Sequence, residues 1–147
     1  MGEHFRYEPD PDHPGWHRWH AIDETRFNFL LAPLRTRLEE GPRARVRMIP
    51  VLRHSNFSHR IHGGVLLGFA DIALFSACRV LGVADTDSGV TVECSMQFLD
   101  AGHIDEPLDA LVEVMRETRR MVFLRGTMVQ DDRRVAAFSG ILRKGNR

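Results

Sequence analysis

Lysine is nearly absent from this 147-residue chain. Lys144 is the only one, although lysine and arginine together number 20 and are matched by 20 acidic residues. The zero formal net charge removes the positive excess through which a nucleic-acid surface gains affinity by counterion release. Arginine is left as the cation for planar contacts with carboxylates or phosphates. Cysteine is scarce too: Cys78 and Cys94 form no CxxC pair and lie in apolar segments, which predicts two buried free thiols in a cytoplasmic protein. The opening MGEHFRYEPDPDHPGWHRWH lacks an apolar signal core, so secretion is not expected. The longest apolar run, Val65 to Ala84, is interrupted by Asp71 and Arg79, which predicts a buried helix rather than a membrane span. Neither a membrane nor a nucleic acid is therefore an expected partner. There is no GxSxG elbow or Walker loop, and GGVLLG does not reproduce a dinucleotide fingerprint.

Acidic side chains are missing between Gly41 and Ala84 with one exception, Asp71. The same segment carries Arg43, Arg45, Arg47, Arg53, Arg60 and Arg79, yet the acid is flanked by Phe69, Ala70, Ile72, Ala73, Leu74 and Phe75. On a helix its neighbours are Leu67, Gly68, Leu74 and Phe75, so no local ion pair is available. A carboxylate placed in apolar surroundings points to function, the alternative being a hydrogen-bonded acid that fixes helix orientation or a subunit contact. Just upstream, Gly63 and Gly64 open the helix. Amides there sit at the positive end of the macrodipole and suit an oxyanion or a phosphate, unless the pair is an ordinary tight turn. Asn56 and His62 can donate to a substrate carbonyl or cap turns and the helix. His54, His59 and His62 show no paired ligand spacing, so no metal is expected. Thr91 can hold a water or serve as a plain strand threonine, and Cys78, deep in the apolar helix, is a poor nucleophile.

The length fits a single domain. Residues 1–43 read as an N-terminal extension packed on the body: an irregular lead anchored by Trp16 and Trp19, then a helix capped by Asp23 and running to about Leu38. Its Phe27, Leu30, Leu31 and Leu34 have helical spacing, with Pro33 weakening the middle. Residues 44–147 form the body. Val46 and Met48 alternate with Arg45 and Arg47 as in a half-buried strand, with Pro50 placing it at an edge or a bulge. The helix runs from the double glycine to about Leu81 and is closed by Gly82, with Gly64 and Gly68 forming a packing notch one turn apart. Val90 to Phe98 alternates strictly, putting Val90, Val92, Cys94, Met96 and Phe98 on one face and Thr91, Glu93, Ser95 and Gln97 on the other. Three more strands are predicted near Leu108–Arg116, Met121–Val129 and Arg134–Leu142, and their short connectors imply antiparallel pairing. The class is α+β, a curved antiparallel β-sheet wrapped around a long central helix, with outer face and edges left for a partner copy.

The run from Asn56 through His62, Gly63 and Gly64 to Asp71, followed by TVECSMQFL, resembles the hotdog-fold acyl-CoA thioesterases, in the branch related to the phenylacetate-pathway and 4-hydroxybenzoyl-CoA enzymes. The resemblance covers roughly Ala44 to Leu142. It implies that Asp71 acts as general base or nucleophile toward a thioester, and that the Gly63 amide, with Asn56 or His62, polarises its carbonyl. It implies that Thr91 orients water, and that the site is shared between subunits of a homodimer or dimer of dimers. Acyl-CoA is then the substrate, coenzyme A entering only as part of it and no other cofactor being needed. Gly64, Arg53, Arg60, Arg119 and Arg120 are the residues expected to bind it. A hotdog hydratase or dehydratase pairing His62 with Asp71, and a non-catalytic acyl-binding dimer, are the alternatives. The chain departs from many relatives in reading FLDAGHIDEPL after the strand and in carrying the tryptophan-rich lead.

Overall fold

The computed structural model describes residues 4–146. Its elements run β1 (Phe5–Pro9), β2 (His17–Ala21), a 3₁₀ turn (Phe27–Leu31), β3 (Leu34–Glu39), β4 (Arg43–Met48), a second 3₁₀ turn (Leu52–His54), α1 (Gly63–Val80), β5 (Val90–Phe98), β6 (Leu108–Glu117), β7 (Met121–Gln130) and β8 (Arg133–Arg143). The strands form one eight-stranded antiparallel sheet in the order β1-β2-β3-β4-β6-β7-β8-β5. The single long helix links β4 to β5 at the far edge. This is the hotdog fold, as the resemblance implies.

The body follows its periodicity. Ala44, Val46 and Met48 are fully buried while Arg45 and Arg47 face outward to bracket Asp109 on β6 at 2.7 Å each. The inner face of the sheet packs on Phe69, Ala70, Ala73, Leu74, Ala77 and Cys78 of α1. By length and composition α1 is apolar enough to cross a membrane, but half of it is buried inside the protein. It ends as expected, with Gly82 at φ 72° and the Val83 N–H donating to the Cys78 carbonyl. Gly140 on β8 lets the helix come close: a Cβ there would lie 2.2 Å from Leu74 Cδ1.

The first 43 residues depart from expectation. The lead is an ordered hairpin, and the helix expected from Asp23 to Leu38 is absent: a short 3₁₀ turn is followed directly by β3. Pro33 is the reason. A proline inside a helix removes a hydrogen bond and clashes with the preceding turn, at a cost of about 3 kcal/mol, and it pushes the residue before it into extended backbone. Leu34 and Thr36 then alternate with Arg35 and Arg37 and bury against the core. Asp23 closes a local turn instead, accepting from the Thr25 N–H at 2.9 Å.

Both tryptophans anchor the hairpin. Trp19 is buried and stacks on Phe5 at 4.8 Å, while the Arg37 and Arg47 guanidinium groups lie over the Trp16 ring at 4.5 and 4.7 Å. Beneath them Asp10, its side chain 1% exposed, accepts from Arg35 Nε at 2.8 Å and contacts Arg18 and His13. The Arg35 hydrogen bond, opposed by desolvation and assisted by the Asp12 amide, Arg18 and His13, holds the Asp10 carboxyl far below the usual carboxylate range.

Candidate active site

Asp71 projects from the middle of α1 toward β5, where Thr91 Oγ1 donates to its Oδ1 at 2.5 Å. The contact depends on an irregularity that strict alternation does not anticipate. β5 carries a bulge between Thr91 and Glu93, with Thr91 opposite Leu142, Glu93 opposite Ile141 and Val92 unpaired. An extra residue re-aims the strand, so Thr91 reaches the helix while Cys94 and Met96, beyond the bulge, pack against the core. Val92 and Val90 are exposed. Cys94 is therefore half-buried rather than buried, and its thiol is pushed up by burial first, then by Asp71 and Glu93. Cys78 is buried, its thiol raised to about 12 chiefly by burial, and it is no nucleophile.

Asp71 opens onto a pocket of about 190 Å³ lined by Ile72, Phe75, Thr86 and Asp87 on one side and Phe5, Trp19 and Asn28 on the other. The last three belong to the N-terminal extension, which the sequence reading left out of the site. The alternation of Phe5 and Tyr7 with Arg6 and Glu8 is the signal that could have placed them on a strand. Arg79 pairs with Asp87 at 3.0 Å and lies over the Phe5 and Tyr7 rings.

At the mouth of the helix the remaining residues separate by role. His62 is the N-cap, its Nδ1 accepting from the Gly64 N–H at 2.8 Å. The Gly64 amide is thereby engaged, whereas among the described hydrogen bonds none takes up the Gly63 N–H. The Phe98 ring lies over Gly63, 3.4 Å from where a Cβ would stand. Asn56 is exposed, and its Oδ1 accepts from the Ser58 and Arg60 amides, which closes the loop. His54 is a buried strut, accepting from the Val51 N–H through Nδ1 and contacting the Leu30 carbonyl through Nε2 at 2.6 Å. The packing notch holds at Gly68, which faces the Phe27 ring rather than another backbone.

The four arginines fall into two sets. Arg53 and Arg60 flank the loop before the helix, Arg60 contacting His103 at 2.7 Å. Arg119 and Arg120 lie beyond the opposite end, lining a groove of about 830 Å³ with Arg143 and Lys144. Among the described residues no group of three histidine, cysteine or acidic side chains is arranged to hold a metal ion.

One chain does not bring acid and amide together. Eight residues at 1.5 Å rise separate Gly63 from Asp71 by about 12 Å, and His62 is farther still.

A family model described as the thioesterase superfamily matches residues 59–137. No curated protein sequence matches. Among solved structures, the PaaI protein of the phenylacetic acid degradation operon of Escherichia coli is 27% identical, covering 71% of this chain and 73% of its own at a TM-score of 0.62. A conserved protein of Pseudomonas aeruginosa is 25% identical, covering 81% and 93% at 0.69. A hypothetical thioesterase of Streptococcus pneumoniae, solved with coenzyme A, is 21% identical, covering 78% and 87% at 0.67. The family match spans more than half of the sequence and takes in the helix that carries Asp71, so this chain belongs to the thioesterase superfamily.

Proposed function

We propose that the protein hydrolyses an acyl-CoA thioester to the free acid and coenzyme A, with Asp71 activating the water. The observation that carries this reading is the Thr91–Asp71 hydrogen bond at the edge of a pocket. Thr91 fixes one carboxylate oxygen, leaving the other free to accept a proton. As water attacks the carbonyl carbon its proton passes to Asp71. The tetrahedral oxyanion then collapses, the C–S bond breaks, and the thiolate leaves and takes up that proton. No metal or further cofactor enters these steps.

The oxyanion is held by the Gly63 N–H, assisted by the Asn56 amide, of a second copy. Two antiparallel copies of α1 can set each Gly63 amide against the other's Asp71, which the rise along one helix forbids within a single chain. Surfaces for such a pairing are present: β5 bonds only to β8, and Val90, Val92, Phe98, Leu67 and the wholly exposed Phe57 lie outward. The coenzyme's phosphates then meet Arg53 and Arg60 at one end, or Arg119 and Arg120 at the other, and the binding of coenzyme A by the Streptococcus relative supports this substrate class. The proposed setting is the cytoplasm.

The test is a panel of aliphatic and aromatic acyl-CoAs followed by free-thiol release, comparing wild type with Asp71→Asn. Loss of about 10²- to 10⁴-fold in rate with the sedimentation coefficient of a dimer retained is expected. Equal rates would remove Asp71 from the mechanism.

A further inference from the structure

Resting on that reading, we propose that the N-terminal hairpin is the ceiling of the acyl pocket, and that Phe5 and Trp19 set the largest acyl group admitted. Residues 5–31 lie outside the matched family segment, yet they supply three of the eight residues around the pocket beside Asp71. The ceiling is rigid. Phe5 stacks on Trp19 with the rings 15° from parallel, Arg79 lies over Phe5, and β2 is hydrogen-bonded into the continuous sheet. Because the hairpin is part of the sheet and not a loose flap, its rings limit volume instead of yielding to a longer chain.

The pocket's volume sets the scale of the limit. At about 190 Å³ the space is somewhat larger than the roughly 150 Å³ that accepts benzene, which corresponds to an acyl group of about six to eight carbons. Phe5, Trp19 and Asn28 are also one wall of a second hollow of about 380 Å³, whose other side is His4, Ala21, Asp23 and Arg26. The two spaces share these three side chains as their partition. Removing the Phe5 ring is therefore expected to open one into the other, so that the accepted length increases in one step instead of gradually.

The experiment measures kcat/KM by thiol release for the straight-chain series from butyryl- to palmitoyl-CoA in the full chain. The wild type is expected to fall off beyond about eight carbons. In Phe5→Ala the ratio of kcat/KM for dodecanoyl over hexanoyl is expected to rise at least about tenfold. In Asn28→Phe, which thickens the partition from an exposed position, the ratio of hexanoyl over butyryl is expected to drop. Near-ultraviolet circular dichroism of Trp16 and Trp19 reports whether the hairpin is still docked, and the Asn28 variant decides the matter if Phe5→Ala is not. Unchanged length profiles in docked variants that still hydrolyse acyl-CoA would overturn the ceiling while leaving Asp71 in place. No hydrolysis of any member by wild type would overturn both.

Discussion

Thr91→Val is the most incisive perturbation of the site, because it removes one hydrogen bond and almost no volume. The lost contact is Thr91 Oγ1 to Asp71 Oδ1 at 2.5 Å. A hydrogen bond to a charged group is worth roughly 1.5–3 kcal/mol when enclosed, and because this one reaches solvent it is discounted to about 1–2 kcal/mol. Converted to rate, that is roughly a 5- to 30-fold loss. The loss should fall on kcat, since in the proposed mechanism Thr91 orients the base and does not grip the substrate, and KM should move less than about twofold. Steady-state thiol release over a range of acyl-CoA concentrations separates the two. Thr91→Ser keeps the hydroxyl and should recover most of the rate, whereas folding stability should be similar in all three proteins because valine suits a strand as well as threonine does. A valine variant at the wild-type rate, or a serine variant as slow as valine, would refute the positioning role.

Two further outcomes concern the scaffold. Gly140→Ala places a Cβ 2.2 Å from Leu74 Cδ1 and 3.3 Å from the Glu93 carbonyl oxygen, so the fully buried Leu74 must repack; a loss of about 1–3 kcal/mol is expected from the urea midpoint, and an unchanged midpoint would contradict this packing. Asp10 is held below its ordinary range by Arg35 above all, so its contribution is fully present above the unfolded value of about 4 and is lost as pH falls through the lower folded value. Asp10→Asn should flatten the stability profile in that acid window, as followed by tryptophan fluorescence, and identical acid profiles in the two proteins would exclude the contribution.

What could be read from the chain depended on whether a local period had one physical cause. Between Ala44 and Leu142 each strand buries one face on a single helix, so alternation reports burial directly, and the elements lie within a residue or two of where the pattern puts them. In the extension the same signal had two causes. Phe27, Leu30, Leu31 and Leu34 are spaced as a helix face, yet Leu31 ends a 3₁₀ turn and Leu34 begins a strand, because Pro33 intervenes. The hairpin was missed for the opposite reason: Phe5–Tyr7 and Trp19–Ala21 do alternate, but each run is only five residues long, and the partner of each lies across a proline-rich turn.

The site itself was legible in its parts but not in its assembly. Asp71 stood out because nothing near it in sequence could neutralise it, a local property. Thr91 could be singled out as a polar strand residue, but its pairing with Asp71 was not legible, because strict alternation sets Thr91 on the face opposite Cys94, and one unpaired valine brings both toward the helix. The relation between acid and amide follows from the helix they share. Had Gly63 and Asp71 been meant to act on one carbonyl within a single chain, a turn or a break would have to fold the seven residues between them back on themselves, and α1 runs straight through. A continuous helix holds the two groups about 12 Å apart, so an oxyanion donor on α1 can meet a base on α1 only when the helices belong to different copies. In the proposed arrangement, diluting the protein until sedimentation shows single copies is expected to abolish thiol release while circular dichroism shows each chain still folded, and hydrolysis by single copies would refute it.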